Sequence, residues 1–358
     1  MIKFFRKTRE QLLSENKFSG YLKYAIGEIV LVVLGILIAL YINNLNEQRK
    51  TENRIVEILK EIQNDLGKNI LEADNTIAYY KNKKSKILRL LNDKITYDEF
   101  KNNPLASKFL LFGSSHIKLY DNGYKNLMQN ANSIPDKYKE IVNPLNELYI
   151  YDKYEIDKFD TQITQIISDL YNTLASRPDW YSEATSLTIS DDLIDYFSTS
   201  DYKNYAYTYT SNSWVLLSGT LSRFRYNAVD VYLEIAKLIG NQDEVPEYIS
   251  HNFIKMEPKS LEQYAGIYSL ITSDNDNRSA SKSKFRISLK GNHLVFVSMN
   301  DSGTETDIYI KSADEGYDKN GNEFQFARNK DSTVTSFTRA RYFTLITGLG
   351  VSHYEKNE

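Results

Sequence analysis

The stretch that decides the architecture is Tyr24–Ile42, which reads YAIGEIVLVVLGILIALYI. Twelve of its 19 residues are Ile, Leu or Val, and one residue, Glu28, is charged. Nineteen helical residues rise about 28 Å, close to the roughly 30 Å hydrocarbon core of a bilayer. The aliphatic residues contribute about −4 to −7 kcal/mol to insertion, whereas an acid at the centre costs about 2.5–3.5 kcal/mol. The segment is therefore predicted to be a transmembrane helix.

Three alternatives to an uncleaved anchor fit this stretch less well. A cleaved signal peptide has a shorter apolar stretch and a small-residue cleavage site, whereas this one is followed by Asn43 and Asn44. A pilin-type leader with Glu28 as its fifth mature residue would need glycine where Lys23 stands. The third alternative is a buried helix of a soluble core, and the insertion free energy favours the membrane over it.

The flanks of this segment predict its orientation. Residues 1–23 carry six Lys or Arg residues against two acidic ones, while residues 43–62 carry four of each. Basic flanks stay on the cytoplasmic side. We therefore expect a cytoplasmic tail over residues 1–23, a transmembrane helix over 24–42, and the chain from residue 45 onward on the outer side. The tail fits either a basic amphipathic helix on the anionic leaflet or an unstructured segment that only sets topology.

Residues 45–245 are predicted to be helical, because apolar residues recur there in steps of three and four. The three series are Ile55, Leu59, Ile62, Leu66, Ile70, Ala73, Ile77, Tyr80, Ile87 and Leu91; Ile141, Leu145, Leu148, Ile156, Phe159, Ile163, Ile166, Leu170 and Leu174; and Trp214, Leu217, Leu221, Phe224, Ala228, Val231, Ile235 and Leu238. The first series can continue the membrane helix outward, and Gly240 is placed to end the third. Shorter helices are predicted over Ile117–Met128 and residues 191–197. This spacing fits either an antiparallel bundle or a coiled coil between two copies.

Near Pro258 the periodicity changes to the two-residue alternation of strands. KGN at residues 290–292 and NG at residues 320–321 have the composition of hairpin turns. Six or so antiparallel strands are predicted to form a small sheet or partial barrel over residues 258–358. The predicted fold class is therefore α+β and membrane-anchored, with a long-helix bundle or coiled coil and a small C-terminal β domain.

Composition excludes several classes of protein. The 358-residue chain has no cysteine, four histidines and a formal net charge of −3. Without cysteine there are no disulfide scaffolds, thiol catalysis or zinc fingers, and no two histidines have metal-ligand spacing. The near-neutral charge excludes a generally basic nucleic-acid-binding protein. We therefore predict no metal, no cofactor and no nucleic-acid partner.

Several motifs resemble catalytic or ligand-binding sequences only in part. Ser279 begins an S-x-x-K motif, but it lies in a polar stretch without the companion motifs of serine acyl-enzymes. Asp318 begins an EF-hand-like run that lacks glycine at position six. His116, beside Ser115, has no identifiable acidic partner, and His293 is expected to be solvated beside a turn. No catalytic residue is predicted, and the chain is expected not to be an enzyme.

The transmembrane segment carries a candidate packing site. At about 100° per residue, Glu28, Gly35 and Ala39 fall on one stripe of the helix. Small residues let helices approach closely, and an acid within the membrane is a functional candidate. We therefore expect a homo-oligomer or a membrane protein partner, besides the lipid bilayer itself. The alternative is that Glu28 snorkels towards the nearer interface.

Two stretches resemble known families. KYAIGEIVLVVLGILIALYINNLNEQRK, at residues 23–50, closely resembles the opening of an uncharacterised family of Gram-negative single-pass membrane proteins. This resemblance implies a bacterial inner-membrane location with the bulk of the chain in the periplasm, and it implies no activity. SLEQYAGIY, at residues 260–268, with the later strands, resembles the small β domain appended to some β-lactamase-like and tail-protease enzymes. No catalytic domain accompanies it here, so no catalytic residue is carried over.

Together these features predict a single-pass inner-membrane protein whose periplasmic helical and β regions form an interaction module, acting as a scaffold or a sensor. The alternative is a periplasmic protein that binds a small ligand or an envelope polymer through its β domain. A cytoplasmic tail of 23 residues is too short to form an output domain. A signal would therefore have to pass through a partner in the membrane.

Overall fold

The computed structural model describes residues 18–102, 110–185, 189–273, 283–291, 293–299, 305–341 and 350–357. The fold is α+β, with a helical body followed by an antiparallel barrel. The α-helices are α1 (Phe18–Leu91), α2 (Tyr97–Asn102), α3 (Asn122–Gln129), α4 (Val142–Asn146), α5 (Lys153–Ala175), α6 (Trp180–Thr185), α7 (Asp191–Ser198), α8 (Ser200–Thr210), α9 (Ser218–Ile239) and α10 (Pro258–Leu261). Short 3-10 turns span Ala131–Ser133, Asp136–Ile141, Gln242–Glu244 and Glu262–Tyr264, and π turns span Glu147–Asp152 and Ser211–Leu217.

Helix α1 is one uninterrupted helix of 74 residues, about 110 Å long at 1.5 Å per residue. It has the continuity that the first heptad series predicted. An 18-residue window near its N-terminal end has a mean hydropathy of 2.7, and none of that window is buried inside the protein. By length and composition alone this helix could cross a membrane, although a signal sequence shares the same properties.

Beyond the apolar segment, α1 becomes the centre of the helical body. Ile55, Leu59, Ile62, Leu66 and Ile70 are fully buried, and α9 and α3 pack along this part of the helix. Helices of the same chain cover these side chains. The heptad series therefore packs as a bundle within one chain, rather than as a coiled coil between two copies.

Buried polar side chains of α1 determine where the neighbouring segments lie. The Asn69 side-chain amide donates to the Tyr120 carbonyl at 2.8 Å, and its carbonyl accepts from the Tyr120 N–H at 2.7 Å. Asp65 accepts from the N–H of Gly123 at 2.9 Å, at the start of α3. The prediction of a helix from Ile117 was therefore wrong at its start, because Asn69 pairs with the backbone of Tyr120 and α3 begins only at Asn122.

The second and third heptad series form helices, and each includes a π turn. The second series passes through Glu147–Asp152 before α5, and the third begins in Ser211–Leu217 and continues as α9. A π turn takes an additional residue per turn. This explains why the second series skips Asp152, which is buried and accepts from the Arg223 guanidinium at 2.6 Å. Gly240 ends α9 in the left-handed conformation, as predicted, with φ of 77°.

The C-terminal region is a closed barrel of eight antiparallel strands in chain order. The strands are β1 (Gly266–Ser273), β2 (Lys284–Lys290), β3 (His293–Ser298), β4 (Thr306–Ser312), β5 (Glu315–Tyr317), β6 (Glu323–Arg328), β7 (Val334–Arg341) and β8 (Gly350–Lys356). Strand β8 pairs with β1, where Tyr354 lies opposite Leu270. The predicted antiparallel sheet is confirmed, but it has eight strands rather than six or so, and it closes into a full barrel because β8 pairs with β1.

The described part of the barrel interior is filled by aromatic side chains. Phe337 stacks on Tyr354 with ring centroids 4.5 Å apart, and Phe285 stacks on Phe296 at 5.1 Å. The Arg339 guanidinium lies 5.0 Å from the centroid of the Phe296 ring. These contacts make the interior a packed core.

We expect Gly123→Ala to destabilise the helical body. A Cβ at this position would lie 2.7 Å from the Ile62 nitrogen and 2.9 Å from its Cα, so the α1 backbone itself would have to move. Overpacking of this kind costs about 1–3 kcal/mol. Thermal unfolding of the full chain in detergent, followed by circular dichroism, measures the loss.

Gly67→Ala is the matched control for this prediction. Its Cβ would meet the Tyr248 hydroxyl at 3.1 Å, the end of a side chain that is 44% exposed and can turn away. Alanine also favours a helix interior by about 0.5–1 kcal/mol. We expect Gly67→Ala to be neutral or stabilising, and equal losses for both variants would contradict the close packing of α3 on α1.

Candidate functional site: a cleft between the helices and the barrel

A cavity of about 260 Å³ lies where the helical body meets the barrel. Helices α1 and α9 form one wall, and strands β4 to β6 with their turns form the other. The lining residues are Asp74, Ile77, Ala78, Lys81, Ser222, Arg225, Tyr226, Asn252, Lys311, Glu315, Gly316, Tyr317, Gly321, Glu323, Phe324 and Gln325. Clefts between folded units are common sites for small ligands.

Arg225 is the best-anchored charge in this cleft. Its Nε donates to the Asp74 carboxylate at 2.6 Å, its Nη1 to the Ser250 carbonyl at 3.0 Å, and its Nη2 to the Asn252 side chain at 3.1 Å. The guanidinium side chain is only 8% exposed, whereas that of Asp74 is 37% exposed. Arg225 therefore fixes the connecting segment, residues 245–257 between the helical body and the barrel, against the helices. The Asp74 carboxylate remains accessible from the cleft.

Two further cations in the cleft are held loosely. Lys81 lies 3.9 Å from Glu323, and Lys311 lies 3.7 Å from Glu315, with all four side chains between 39% and 46% exposed. Exposed pairs at such distances contribute about 0–1 kcal/mol. Both lysines can therefore exchange these contacts for a ligand at little cost.

Tyrosines supply the uncharged part of the wall. The Tyr226 hydroxyl donates to the Tyr309 hydroxyl at 2.7 Å, and the Tyr226 ring stacks on His251 with centroids 4.1 Å apart. Burial raises the pKa of the Tyr226 and Tyr317 hydroxyls above the usual range of tyrosine. Both hydroxyls therefore stay neutral at physiological pH and present hydrogen-bonding groups on flat apolar rings.

The two walls meet closely at one turn. Gly321 follows Asp318 in the turn before β6, with φ of +75°, and its N–H donates to the Asp318 carbonyl at 2.9 Å. A Cβ on Gly321 would lie 2.6 Å from the Ser222 Cβ on α9. The connecting segment contacts both units, since Ile249 is buried in the helical core and the Ile254 N–H donates to the Ile310 carbonyl at 2.8 Å.

The residues singled out in the membrane segment lie far from this cleft. Glu28, Gly35 and Ala39 are all on α1, and Ala39 is about 52 Å from Asp74 along the helix axis at 1.5 Å per residue. A Cβ on Gly35 would meet nothing within 4 Å. The structure thus places the three on one helix outside the folded body, and their role in helix packing stays a prediction.

The other candidate motifs have different outcomes. Ser279 and the rest of its S-x-x-K motif lie outside the described residues. Asp318 is buried and accepts from the N–H groups of Asn320 and Asn322, so it organises a hairpin turn. The statement that His116 has no acidic partner was wrong, because Asp160 lies 3.1 Å from its Nδ1.

Within the described ranges, no three His, Asp or Glu side chains come together where a metal ion could bind. The expectations of no metal and no cofactor stay predictions. Sequence reasoning missed the cleft because its residues come from α1, α9 and the barrel. One signal was present: Arg225 directly follows Phe224 in the most regular heptad series, and a charge beside a buried seam needs a partner.

Comparison with protein families matches the N-terminal part of the chain. The model of a family of unknown function (DUF6090) matches residues 28–175, which run from the apolar segment to the end of α5. This agrees with the expected resemblance to an uncharacterised family. No curated protein and no solved structure matches the chain. The match ends before α9 and the barrel, so it includes only the α1 part of the cleft.

We expect Gly321→Ala to loosen the junction between the two units. The added methyl group would collide with Ser222, so the barrel has to shift away from α9. The connecting segment should then become more accessible, and chymotrypsin should cleave after Phe253 several times faster than in the unsubstituted protein. Mass spectrometry of the timed fragments measures the rate.

Gly291→Ala is the matched control. Gly291 also has a positive φ, +64°, but a Cβ there would meet nothing within 4 Å. Both variants carry the backbone strain of a left-handed alanine, about 1–2 kcal/mol, and only Gly321→Ala disturbs the junction. Equal cleavage rates in the two variants would show that the Ser222 contact does not hold the units together.

Proposed function

We propose that the protein is a single-pass membrane-anchored binding protein that takes up a small polar ligand in the cleft between its helices and its barrel. The observation that carries this proposal is that α1 runs without a break from the apolar segment to the cleft. The same unbroken helix supplies Asp74, Ala78 and Lys81 to the cleft and contains the apolar segment that could span a membrane. A ligand that draws the two walls together would act directly on the helix that leads to the bilayer.

The lining favours one kind of ligand. The cleft of about 260 Å³ is lined by three cations and three carboxylates. The cations are Lys81, Arg225 and Lys311, and the carboxylates are Asp74, Glu315 and Glu323. The best match is a small molecule that has an apolar face for the tyrosine rings and several polar groups of both signs. The packed interior of the described barrel supports binding beside the barrel rather than inside it.

A scaffold function is the second candidate. Ile150, Tyr151 and Tyr154 are 50%, 61% and 67% exposed on neighbouring turns of the second helical series. Exposed aromatic residues next to an aliphatic one are typical of protein interfaces. This patch supports an interaction module that need not bind any small molecule. For neither role do we propose that the cleft is catalytic.

We propose that the chain lies in a bacterial inner membrane with residues 1–23 in the cytoplasm and the body in the periplasm. The basic flank of the apolar segment supports this orientation. Protease added to intact spheroplasts should then digest the chain beyond about residue 46, and carbonate should leave the anchor with the membranes. A fragment containing α9 and the barrel that stays protected in unlysed spheroplasts would reverse the orientation.

The stripe of Glu28, Gly35 and Ala39 is proposed as a contact with a second copy of the chain. Glu28→Gln removes the charge, and Gly35→Leu places bulk where a neighbouring helix would approach. We expect both to shift the detergent-solubilised protein to a smaller species in light scattering. Val33→Leu, which enlarges an aliphatic residue on the opposite face of the helix, is the control. Unchanged size in all variants would mean that the stripe has no packing role.

Filling the cleft tests the proposed function directly. Ala78→Phe places a ring in a cavity of about 260 Å³, while Ala175→Phe adds the same ring at the exposed end of α5. We expect native mass spectrometry of the full chain, purified from its own membranes, to show a bound small molecule that Ala78→Phe loses at least about tenfold. A mass adduct that is absent, or equally retained by both variants, would contradict ligand binding in the cleft.

A further inference from the structure

A second constellation of polar side chains lies on the opposite face of α1. With Asp74 at 0° and about 100° per residue, the cleft residues Ala78 and Lys81 fall at about 40° and 340°. Tyr80 and Lys83 fall at about 240° and 180°, and both contact the backbone of residues 113–115. Residues 113–116 therefore lie on the other side of α1 from the ligand cleft.

Side chains of α1 and α8 hold the backbone of the loop at residues 113–115 in place. Lys83 donates to the Gly113 carbonyl at 3.1 Å, and the Tyr209 hydroxyl donates to the same oxygen at 3.0 Å. The Ser115 N–H donates to the Tyr80 hydroxyl at 3.2 Å. Gly113 has φ of +95°, a conformation that favours glycine. The residues on either side of Ser114 are therefore fixed in position.

Ser114, His116 and Asp160 form a connected line of hydrogen bonds. The Ser114 Oγ lies 3.0 Å from the His116 Nε2, and the His116 Nδ1 lies 3.1 Å from the Asp160 Oδ2. Each ring nitrogen thus has its own partner. Because the carboxylate accepts a hydrogen bond from Nδ1, it favours the tautomer in which Nε2 is free to accept the serine proton.

Asp160 is suited to orient the histidine. Its side chain is 18% exposed, and that of His116 is 62% exposed. The second carboxylate oxygen, Oδ1, is buried and has no hydrogen-bond partner among the described residues. The aspartate is held by α5, and its negative charge stabilises the imidazolium that forms when His116 takes up a proton.

We propose that Ser114 is a nucleophilic serine, activated by His116 and oriented by Asp160, that hydrolyses carboxylic esters. The order of the three groups is the one that general-base activation of a hydroxyl requires. This inference is independent of the proposed ligand cleft. It also runs against the expectation from the sequence that the chain is not an enzyme.

The reaction balances with water as the only other reactant. The Ser114 Oγ bonds to the ester carbonyl carbon while its proton passes to the His116 Nε2. The ester C–O bond then breaks, and the departing oxygen takes that proton and leaves as the alcohol. Water attacks the acyl-serine, gives one proton to Nε2, and the carboxylic acid leaves as Ser114 regains a proton from His116.

The surroundings indicate the class of ester. The exposure of His116 makes the site open, so an acyl group carried on a large or extended molecule can reach it without entering an enclosed pocket. Lys83 donates to the Phe112 and Gly113 carbonyls and to the Tyr209 hydroxyl, so it positions the backbone next to the nucleophile.

The test uses the full chain in detergent with two probes, a fluorophosphonate label and p-nitrophenyl acetate. We expect the label on Ser114, mapped by mass spectrometry, and ester hydrolysis that falls at least about 100-fold in Ser114→Ala and His116→Gln. The rate of ester hydrolysis should fall at least about tenfold in Asp160→Asn, because an amide can favour the wrong tautomer of the His116 ring. Ser115→Ala is the matched control, since its hydroxyl contacts Thr76 and not His116, and it should keep full activity.

Several results would overturn the proposal. They are an unlabelled wild-type chain, a label on Ser115 or another serine, equal labelling in His116→Gln, or hydrolysis that persists in Ser114→Ala. Thermal unfolding of each variant, compared with that of the unsubstituted protein, checks that a loss of activity does not come from a loss of folding. Ala78→Phe should be labelled like the wild type, so loss of ligand from the cleft and loss of esterase activity are distinguishable.

Discussion

The structure depends on the way one helix satisfies the hydrogen-bonding groups of segments that have no regular structure of their own. Asn69 is fully buried, and its amide pairs with both backbone groups of Tyr120. A buried polar group without a partner costs about 1–3 kcal/mol, so this pairing favours the observed position of the segment on α1. Lys83 does the same for the loop before Ser114. Helix α1 is therefore both the apolar core of the helical body and the template that aligns its other parts.

Local pattern predicted the long helices and the hairpins because their packing follows from nearby residues. Helices α1, α5 and α9 each bury one face, and the turns at Gly291 and Gly321 join strands that pair with their neighbours. Pattern failed where a distant residue decides the outcome. Asn69 and Asp65 lie 51 and 58 positions from the segment they hold. Closure of the barrel likewise needs β1 and β8 to pair, and the sequence of neither strand indicates which strand it will pair with.

The candidate sites were less predictable than the fold. Asp74 and Arg225 are 151 positions apart, and His116 and Asp160 are 44 apart. Each pair meets only because α1, α5 and α9 pack in one particular arrangement. The sequence signal of these sites is a charged residue next to a buried heptad position. Arg225 follows Phe224, and Asp160 follows Phe159. Such a signal indicates that the charged side chain needs a partner, but it does not identify the partner residue.

The pairing of β1 with β8 has a consequence for synthesis of the chain. Strand β1 emerges first and β8 last, so until β8 is made both β1 and β7 have an open edge. A nascent barrel therefore exposes unpaired backbone groups and its aromatic interior until the last strand is made. A chain that stops before β8 keeps those edges and is open to proteases and to pairing with other nascent chains. Completion of β8 is therefore the step that pairs these edges and closes the barrel over its interior.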